Sequence, residues 1–432
     1  MNIIGIRDED KYTAERRVAI TPENAKKLID GKNCLIYFTP SSKRVFDNTT
    51  YQNAGCLPSE TLTEANIIIG VKEIPISFFE KNKTYIFFSH TIKGQSYNMD
   101  MLKTMMKLNC SLIDYEKIVD DQNRRLIFFG RFAGLAGAIN SLWSLRLKFE
   151  EEGVKTSLSF IKQTCTYNSL DEAKKMVVKV GNQIKQEGFP AKLGPLIIGI
   201  TGYGNVSKGA QEIYDLLPIK EISPSELLSY PIDSFDLKTV YKVVFKEEDL
   251  YKRKDNSPFS LEHFYQNGNL YESQFEKYIN NLTLLTNCMY WNDNYDKIVT
   301  KKFLKENWKK NNFRLKVIGD ITCDPNGSIE ATHIGTNIED PIFVYHPETE
   351  QPTFGHHGEG ILIMAVDILP SELPLDASIA FSSAFHDFLP EIVECDFNLS
   401  TDKLPLSDPI KKALILHKGK LTKEFEYITK YL

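Results

Sequence analysis

The chain has 432 residues, 42% of them hydrophobic and 25% charged, with a formal net charge of -5. That composition suits a globular protein of two or three domains and excludes a disordered, collagenous or coiled-coil chain. A mildly acidic balance gives no electrostatic footprint for nucleic acid, and no run approaches the ~18 consecutive apolar residues of a membrane span.

Residues 3–6 read as a first strand. Thr21-Pro22-Glu23-Asn24 predicts a helix start, with Thr21 as cap and Pro22 at the first helical position. Residues 34–38, 67–71, 85–88, 111–114 and 126–129 continue as apolar runs of strand length. This alternation predicts an α/β fold, a doubly wound parallel sheet with helices on both faces. The small-residue run Ala133-Gly134-Leu135-Ala136-Gly137-Ala138 opens a long connecting helix to about Glu152, and residues 170–188 form an amphipathic helix. Residues 195–199 are a buried strand that runs into Gly202-Tyr203-Gly204-Asn205-Val206 and a helix to about Leu217. Residues 226–282, rich in charge, Tyr and Asn, read as a surface insertion. Residues 284–290 and 315–318 are late strands, and 355–369 and 375–393 read as largely helical. Two Rossmann-like domains are expected: a discontinuous one, 1–132 plus 352–432, and a dinucleotide-binding one, 133–351, with the site in a cleft between them.

Seven cysteines are scattered without a C-x-x-C pair. They read as reduced thiols of a cytosol-like compartment, and zinc-ligand spacing is absent. The chain as given opens directly on a strand with no signal or transit segment, so a cytoplasmic location is expected.

Gly202-x-Gly204 follows a predicted strand and precedes a predicted helix, the context of a dinucleotide fingerprint. Gly202 permits the tight turn, Gly204 lets the backbone approach a pyrophosphate, and the helix start at Asn205 and Val206 offers free N–H groups. Ser207 stands where the third glycine is usual, with Gly209 two further on. The next strand, 218–223, ends at Ser223-Pro224-Ser225. If Ser223 faces the ribose, a 2′-phosphate is not repelled and NADP is favoured; if the register differs by two, Glu221 faces it and NAD is favoured.

Lys72-Glu73 and His90 directly follow two predicted strands, so one crevice at their carboxyl ends receives both a lysine and a histidine. Either is suited to proton transfer near neutral pH; the plainer reading is a solvated cation and a hydrogen-bonded cap. Arg17 points to the same edge, and Arg124-Arg125 to the opposite one unless the loop folds back. Asp320 and Asp324 either line the nucleotide side or cap a turn. His356-His357 beside Glu359 suggests a metal, but no third ligand stands at suitable spacing, so a helix start is preferred and no metal is expected.

Several segments together resemble one family: Glu15-Arg16-Arg17-Val18-Ala19-Ile20-Thr21-Pro22, Gly70-Val71-Lys72-Glu73-Ile74-Pro75, Phe88-Ser89-His90-Thr91-Ile92-Lys93, Leu112-Ile113-Asp114-Tyr115-Glu116, Gly202-Tyr203-Gly204-Asn205-Val206-Ser207-Lys208-Gly209 and Asp320-Ile321-Thr322-Cys323-Asp324-Pro325. They look like the saccharopine-forming and saccharopine-cleaving enzymes of lysine metabolism, and most like the lysine–ketoglutarate reductase half of the bifunctional aminoadipic semialdehyde synthase. More distantly they resemble alanine dehydrogenase and the soluble transhydrogenase subunit. The resemblance implies an NADPH-dependent condensation of L-lysine with 2-oxoglutarate to saccharopine, NADH being possible, with no metal. It implies Lys72 and His90 as the acid/base pair and Arg17 and Arg124 (or Arg125 in its place) on the keto acid's carboxylates. Glu73 and Glu116 would modulate the site's charge, and Lys93 and Asp324 would form a pair across the cleft. Relatives in animals are mitochondrial, an alternative to the cytoplasm. The bifunctional enzymes continue into a second dehydrogenase module at the point where this sequence stops. The rival readings are the NAD-dependent lysine-forming direction, an alanine dehydrogenase-like amino-acid oxidoreductase, and a catalytically idle binding subunit. Oligomeric state is not readable.

Overall fold

In a computed structural model, which describes residues 2–32 and 34–432, the chain lays down six strands before its first long helix. They are β1 (Ile4–Ile6), β2 (Ile36–Phe38), β3 (Leu57–Pro58), β4 (Ile67–Ile69), β5 (Thr84–Phe87) and β6 (Ser111–Asp114). All are parallel, in the order β6-β5-β4-β1-β2-β3. β1, β4, β5 and β6 are buried throughout, because helices such as α1 (Pro22–Lys32), α2 (Asn48–Asn53) and α3 (Ser96–Lys107) cover the sheet. α1 starts where the sequence predicts: the Asn24 N–H donates to Thr21 Oγ1 at 3.3 Å. The register pairs Ile6 with Ile69, Ile69 with Ile86 and Phe87 with Asp114, so four strands end together at one edge.

The strand expected at 126–129 does not form. Asp120 N–H donates to the Arg124 carbonyl at 3.0 Å and Leu126 N–H to the Ile118 carbonyl at 2.9 Å, so the loop doubles back on itself. Its apolar residues serve the core instead, Phe129 stacking on Phe381 with ring centroids 4.5 Å apart.

Two compact units result: Met1–Phe129 with Pro374–Leu432, and Gly130–Leu373. The second opens with α4 (Gly130–Glu151) and α5 (Leu170–Glu187). β7 (Leu196–Thr201) leads to α6 (Asn205–Tyr214), β8 (Ile219–Glu221), α7 (Pro224–Ser229) and β9 (Val240–Phe245). β10 (Tyr251–Arg253) and β11 (Tyr271–Ser273) form a separate antiparallel pair. β12 (Leu284–Asn287), β13 (Val317–Asp320), β14 (Ile342–His346), β15 (Gln351–Phe354) and β16 (Ile361–Met364) complete a sheet ordered β15-β14-β16-β13-β12-β7-β9-β8. α4 crosses α6 so closely that a β-carbon at Gly134 or Gly209 would collide with the opposing backbone carbonyls of Val206 and Arg131. The small-residue run is there for that crossing.

Three expectations need correction. The segment 226–282 is not wholly a surface insertion, because β9 lies inside it and pairs with both β7 and β8. Lys242 disguised that strand; its ammonium is buried and neutralised by Asp215 at 2.7 Å and Glu221 at 3.0 Å. The segment 355–369 is not helical: β16 sits in it, fully buried and parallel to β13, since a short apolar run opening after Gly360 suits a strand. For the same reason residues 352–373, expected with the first unit, belong to the second.

The chain returns to the first sheet with the helix Pro374–His386, then β17 (Leu414–His417), antiparallel to β6, and β18 (Lys420–Leu421). Both sheets are thus eight-stranded and mostly parallel, the α/β class expected. Among the described residues no helix is long and apolar enough to cross a membrane.

Candidate active site

In open parallel sheets the groups after the carboxyl ends of strands line the ligand crevice. In the first unit those groups are Arg7 after β1, Lys72 and Glu73 after β4, His90 after β5 and Glu116 after β6. Glu73 is the hub: its Oε1 accepts from Lys11 Nζ at 2.6 Å and lies 2.7 Å from His90 Nδ1. Burial alone would raise the Glu73 carboxyl, but the hydrogen bond and charge of His90, with Lys11, hold it at about 2. A carboxylate fixed on Nδ1 sets the imidazole's orientation and leaves Nε2 for other partners. His90 has a left-handed backbone, φ +47°, a costly conformation for a side-chain-bearing residue. Asn98 clamps the bend, its Nδ2 donating to the Ser89 and His90 carbonyls at 2.9 and 3.3 Å. The Ser89 N–H donates to buried Asp114 at 3.0 Å, tying β5's exit to β6.

Glu9 holds the other acid/base candidate in place. Its carboxyl accepts from the Val71 N–H at 2.6 Å and the Lys72 N–H at 2.9 Å. Burial pushes it up to about 7 against the lowering charge of Arg7. Lys72 Nζ stands 5.7 Å from the Tyr12 ring centroid, and Lys11 Nζ 5.4 Å from the same ring. Arg17 is buried and gripped by Glu15 through two hydrogen bonds of 2.8 and 2.6 Å, its guanidinium 4.2 Å from the Phe129 ring centroid. Burial raises Glu15, yet the Arg17 charge and hydrogen bonds outweigh it and hold the carboxyl at about 2.

The structure distinguishes the two neighbouring arginines. Arg124 is exposed and turned back onto Asp120 at 2.7 Å, whereas Arg125 is paired with Glu116. The fold-back of the loop brings Arg125 to Glu116 at the β6 end. Lys93 is exposed in the turn after His90, and Asp324 is exposed in the loop after β13, in the other unit.

In the second unit Gly202 takes φ +79°, and Gly204 caps α6 with no side-chain hydrogen bond. A β-carbon at Gly204 would meet nothing within 4 Å. The α6 N-terminus, Asn205 and Val206, therefore presents unencumbered N–H groups beside an open approach, which fits a pyrophosphate. Ser207 is buried and accepts from Gln211 Nε2 at 3.0 Å, while Gly209 supplies the close helix packing that the fingerprint's third glycine usually provides. A ladder of neutral groups sits beneath the turn: Thr201 Oγ1 donates to Asn287 Oδ1 at 2.7 Å and Asn287 Nδ2 to Asp320 Oδ1 at 2.8 Å. Asp320 also accepts from Thr332 Oγ1 at 2.5 Å. Burial raises its carboxyl to about 6, and its Oδ1 accepts from the Cys323 N–H at 3.2 Å, the contact of a turn cap.

Ser223 is the N-cap of α7, in a capping box with Glu226: its Oγ accepts from the Glu226 N–H at 3.2 Å, and Glu226 Oε2 accepts from the Ser223 N–H at 2.7 Å. The hydroxyl is engaged, and a carboxylate sits against it. Glu221 is turned to Lys242. Sequence reasoning passed over Glu226, Glu9 and Lys11. The Ser-Pro-x-Glu pattern signals the first; nothing local signals the other two, because their partners lie more than sixty residues away.

Residues 5–136 match the alanine dehydrogenase/PNT N-terminal domain. An L-alanine dehydrogenase structure superposes with a TM-score of 0.63 at 15% identity, covering 99% of this chain and 98% of that one, a likeness of fold. The α-aminoadipic semialdehyde synthase of Arabidopsis thaliana is 34% identical over 99% of this chain and 41% of its own length. The NAD+, L-lysine-forming saccharopine dehydrogenase of Emericella nidulans is 26% identical over 89% of this chain and 90% of its own. The match at residues 5–136 places the alanine dehydrogenase/PNT N-terminal domain in the first part of the chain. Over nearly its whole length the chain is similar to the aminoadipic semialdehyde synthases, and it spans less than half the length of the Arabidopsis relative.

Proposed function

We propose that this chain condenses L-lysine with 2-oxoglutarate and reduces the resulting imine with NADPH, giving saccharopine, as in lysine degradation. The observation that carries this reading is the cluster at the β4 and β5 ends, where Glu73 joins His90 to Lys11 next to Lys72. The ε-amine of substrate lysine has an ordinary pKa of ~10.4 and needs a base before it attacks the keto carbon. The carbinolamine that forms then needs an acid at its oxygen to lose water. His90, oriented by Glu73, and Lys72, held by Glu9, take those proton transfers in turn. Arg125, and Arg17 through the N–H groups that Glu15 leaves open, hold the keto acid's carboxylates. Glu116 and Glu73 balance the cationic charge. Lys93 is assigned to substrate binding and Asp324 to the cofactor. The cofactor, with its pyrophosphate at the Gly202–Val206 turn, would supply hydride from its nicotinamide to the imine carbon.

A second reading, the NAD-dependent lysine-forming direction, draws on one observation. The Glu226 carboxylate on Ser223 would repel a 2′-phosphate and accept a ribose 2′-hydroxyl. Absorbance at the reduced-nicotinamide band, followed with lysine, 2-oxoglutarate and each cofactor in turn, tests both. Consumption of NADPH only when both substrates are present is expected. A strong preference for NADH selects the second reading, pyruvate with ammonia as the working pair selects an alanine dehydrogenase-like activity, and no turnover selects a binding subunit.

A further inference from the structure

The consecutive histidines of the β15–β16 loop lack a third ligand nearby in sequence, but folding supplies one from the far end of α4. We propose that Glu151, His356 and His357 bind one divalent transition-metal ion of the zinc class. The ligand atoms of the three side chains all lie within 4.8 Å of one another, and among the described residues no other trio of His, Cys, Asp or Glu does this. Glu151 Oε2 is 2.8 Å from His357 Nδ1, and the two imidazole centroids are 4.0 Å apart.

The loop is built to present both rings to one side. Gly355, Gly358 and Gly360 take φ of +86°, +117° and +135°, conformations that residues with a β-carbon avoid. Lys148, one turn before Glu151 on α4, donates to the Gly358 carbonyl at 3.2 Å and pins the loop to the helix. Glu151 ends that helix, where the dipole favours a cation. Of the neighbouring cations, Arg146 is neutralised by Glu150 at 2.9 Å and Lys316 by Glu152 at 2.8 Å, while Lys148 is engaged with the Gly358 carbonyl.

Zinc–ligand bonds of ~2.0–2.2 Å place tetrahedral ligands roughly 3.3 Å apart. The three groups reach that spacing by side-chain rotation, since Glu151 and His357 are exposed. Two imidazoles with one carboxylate select zinc, cobalt, nickel or copper over magnesium or calcium. Three protein ligands leave a position for water, so the ion would clasp the loop to α4 without being enclosed.

Titration calorimetry of the full chain with zinc chloride, and with cobalt(II) chloride for its visible absorption, tests the site. One equivalent of either ion is expected to bind at micromolar concentration, with no magnesium binding there. His356→Ala/His357→Ala and, separately, Glu151→Gln are expected to weaken binding at least tenfold with unchanged circular dichroism. Cys165→Ser, which removes the exposed thiol of the same unit, is expected to leave binding intact. Unchanged affinity in the histidine variant, loss of binding in Cys165→Ser, or no binding below millimolar zinc would each overturn the proposal.

Discussion

The two sheets share an architecture and differ at their carboxyl edges. In the first unit the strand ends deliver charge: Lys72 and Glu73 after β4, His90 after β5, Glu116 after β6, each matched by a counter-charge or clamp. In the second, β7 ends in a bare glycine turn, and neutral Thr201 and Asn287, with a carboxyl raised toward neutrality, support it from below. The same strand-end position presents titratable side chains on one sheet and backbone N–H groups on the other. A phosphate is best met by preformed N–H groups and open space. A proton transfer needs titratable groups held at close range.

The largest expected effect breaks the first half of that contrast. Lys72→Met/His90→Gln should lower saccharopine formation by at least ~10²-fold, the usual weight of general acid–base catalysis, with cofactor affinity unchanged by fluorescence titration. Undiminished turnover would remove the chemical role from that edge. Next, Gly134→Val should destabilise the second unit by about 2–3 kcal/mol through overpacking against α6, read by urea denaturation, while the first unit's transition stays in place.

A finer test separates fold from recognition at the glycine turn. Gly204→Ala has ordinary φ and open space, so stability should change by under about 1 kcal/mol. Cofactor dissociation should nevertheless rise about tenfold, because the methyl group occupies the pyrophosphate's approach. Equal cofactor affinity in parent and variant would place the nucleotide elsewhere.

The smallest effects are in pH dependence, and they have opposite signs for Glu73 on the first edge and Asp320 on the second. Glu73, held at about 2, contributes stability that is present above pH 4.5 and lost as pH falls toward 2. Asp320, raised from 3.8 to about 6, favours the folded state most below pH 4 and loses that contribution as pH rises through 6. Glu73→Gln should shrink the acid limb of a stability profile, to which Glu15 also contributes, and Asp320→Asn should shrink the slope between pH 4 and 6, to which Glu9 also contributes. Thermal melts across pH 2 to 8 would show the parent's slope undiminished in a variant whose assignment is wrong.

Much of this was legible locally. The α/β class follows from apolar runs alternating with helix starts such as Thr21-Pro22. The strand-end positions of Lys72 and His90 follow from the residues just before them. Where local reading failed, a partner outside the segment being read had intervened, near in sequence or far. Lys242 made β9 look like surface, because its counter-ions Asp215 and Glu221 come from other elements. Ser223 looked available to a ribose, because its capping box with Glu226 exists only once α7 forms. The run 126–129 has strand composition but no neighbour to pair with.

The amino-acid order by itself marked β1, β2, β4 to β8, β12 and β13, where the glycine turn lies and which charged residues follow which strand. These are properties of neighbouring residues and of hydrophobic period. Tertiary structure alone decided that Glu9 holds Lys72, that Lys11 shares Glu73 with His90, that Arg125 rather than Arg124 meets Glu116, and that Glu151 stands beside two histidines. Each of those pairings joins groups separated along the chain, and only packed sheets and crossing helices bring such groups within hydrogen-bond reach.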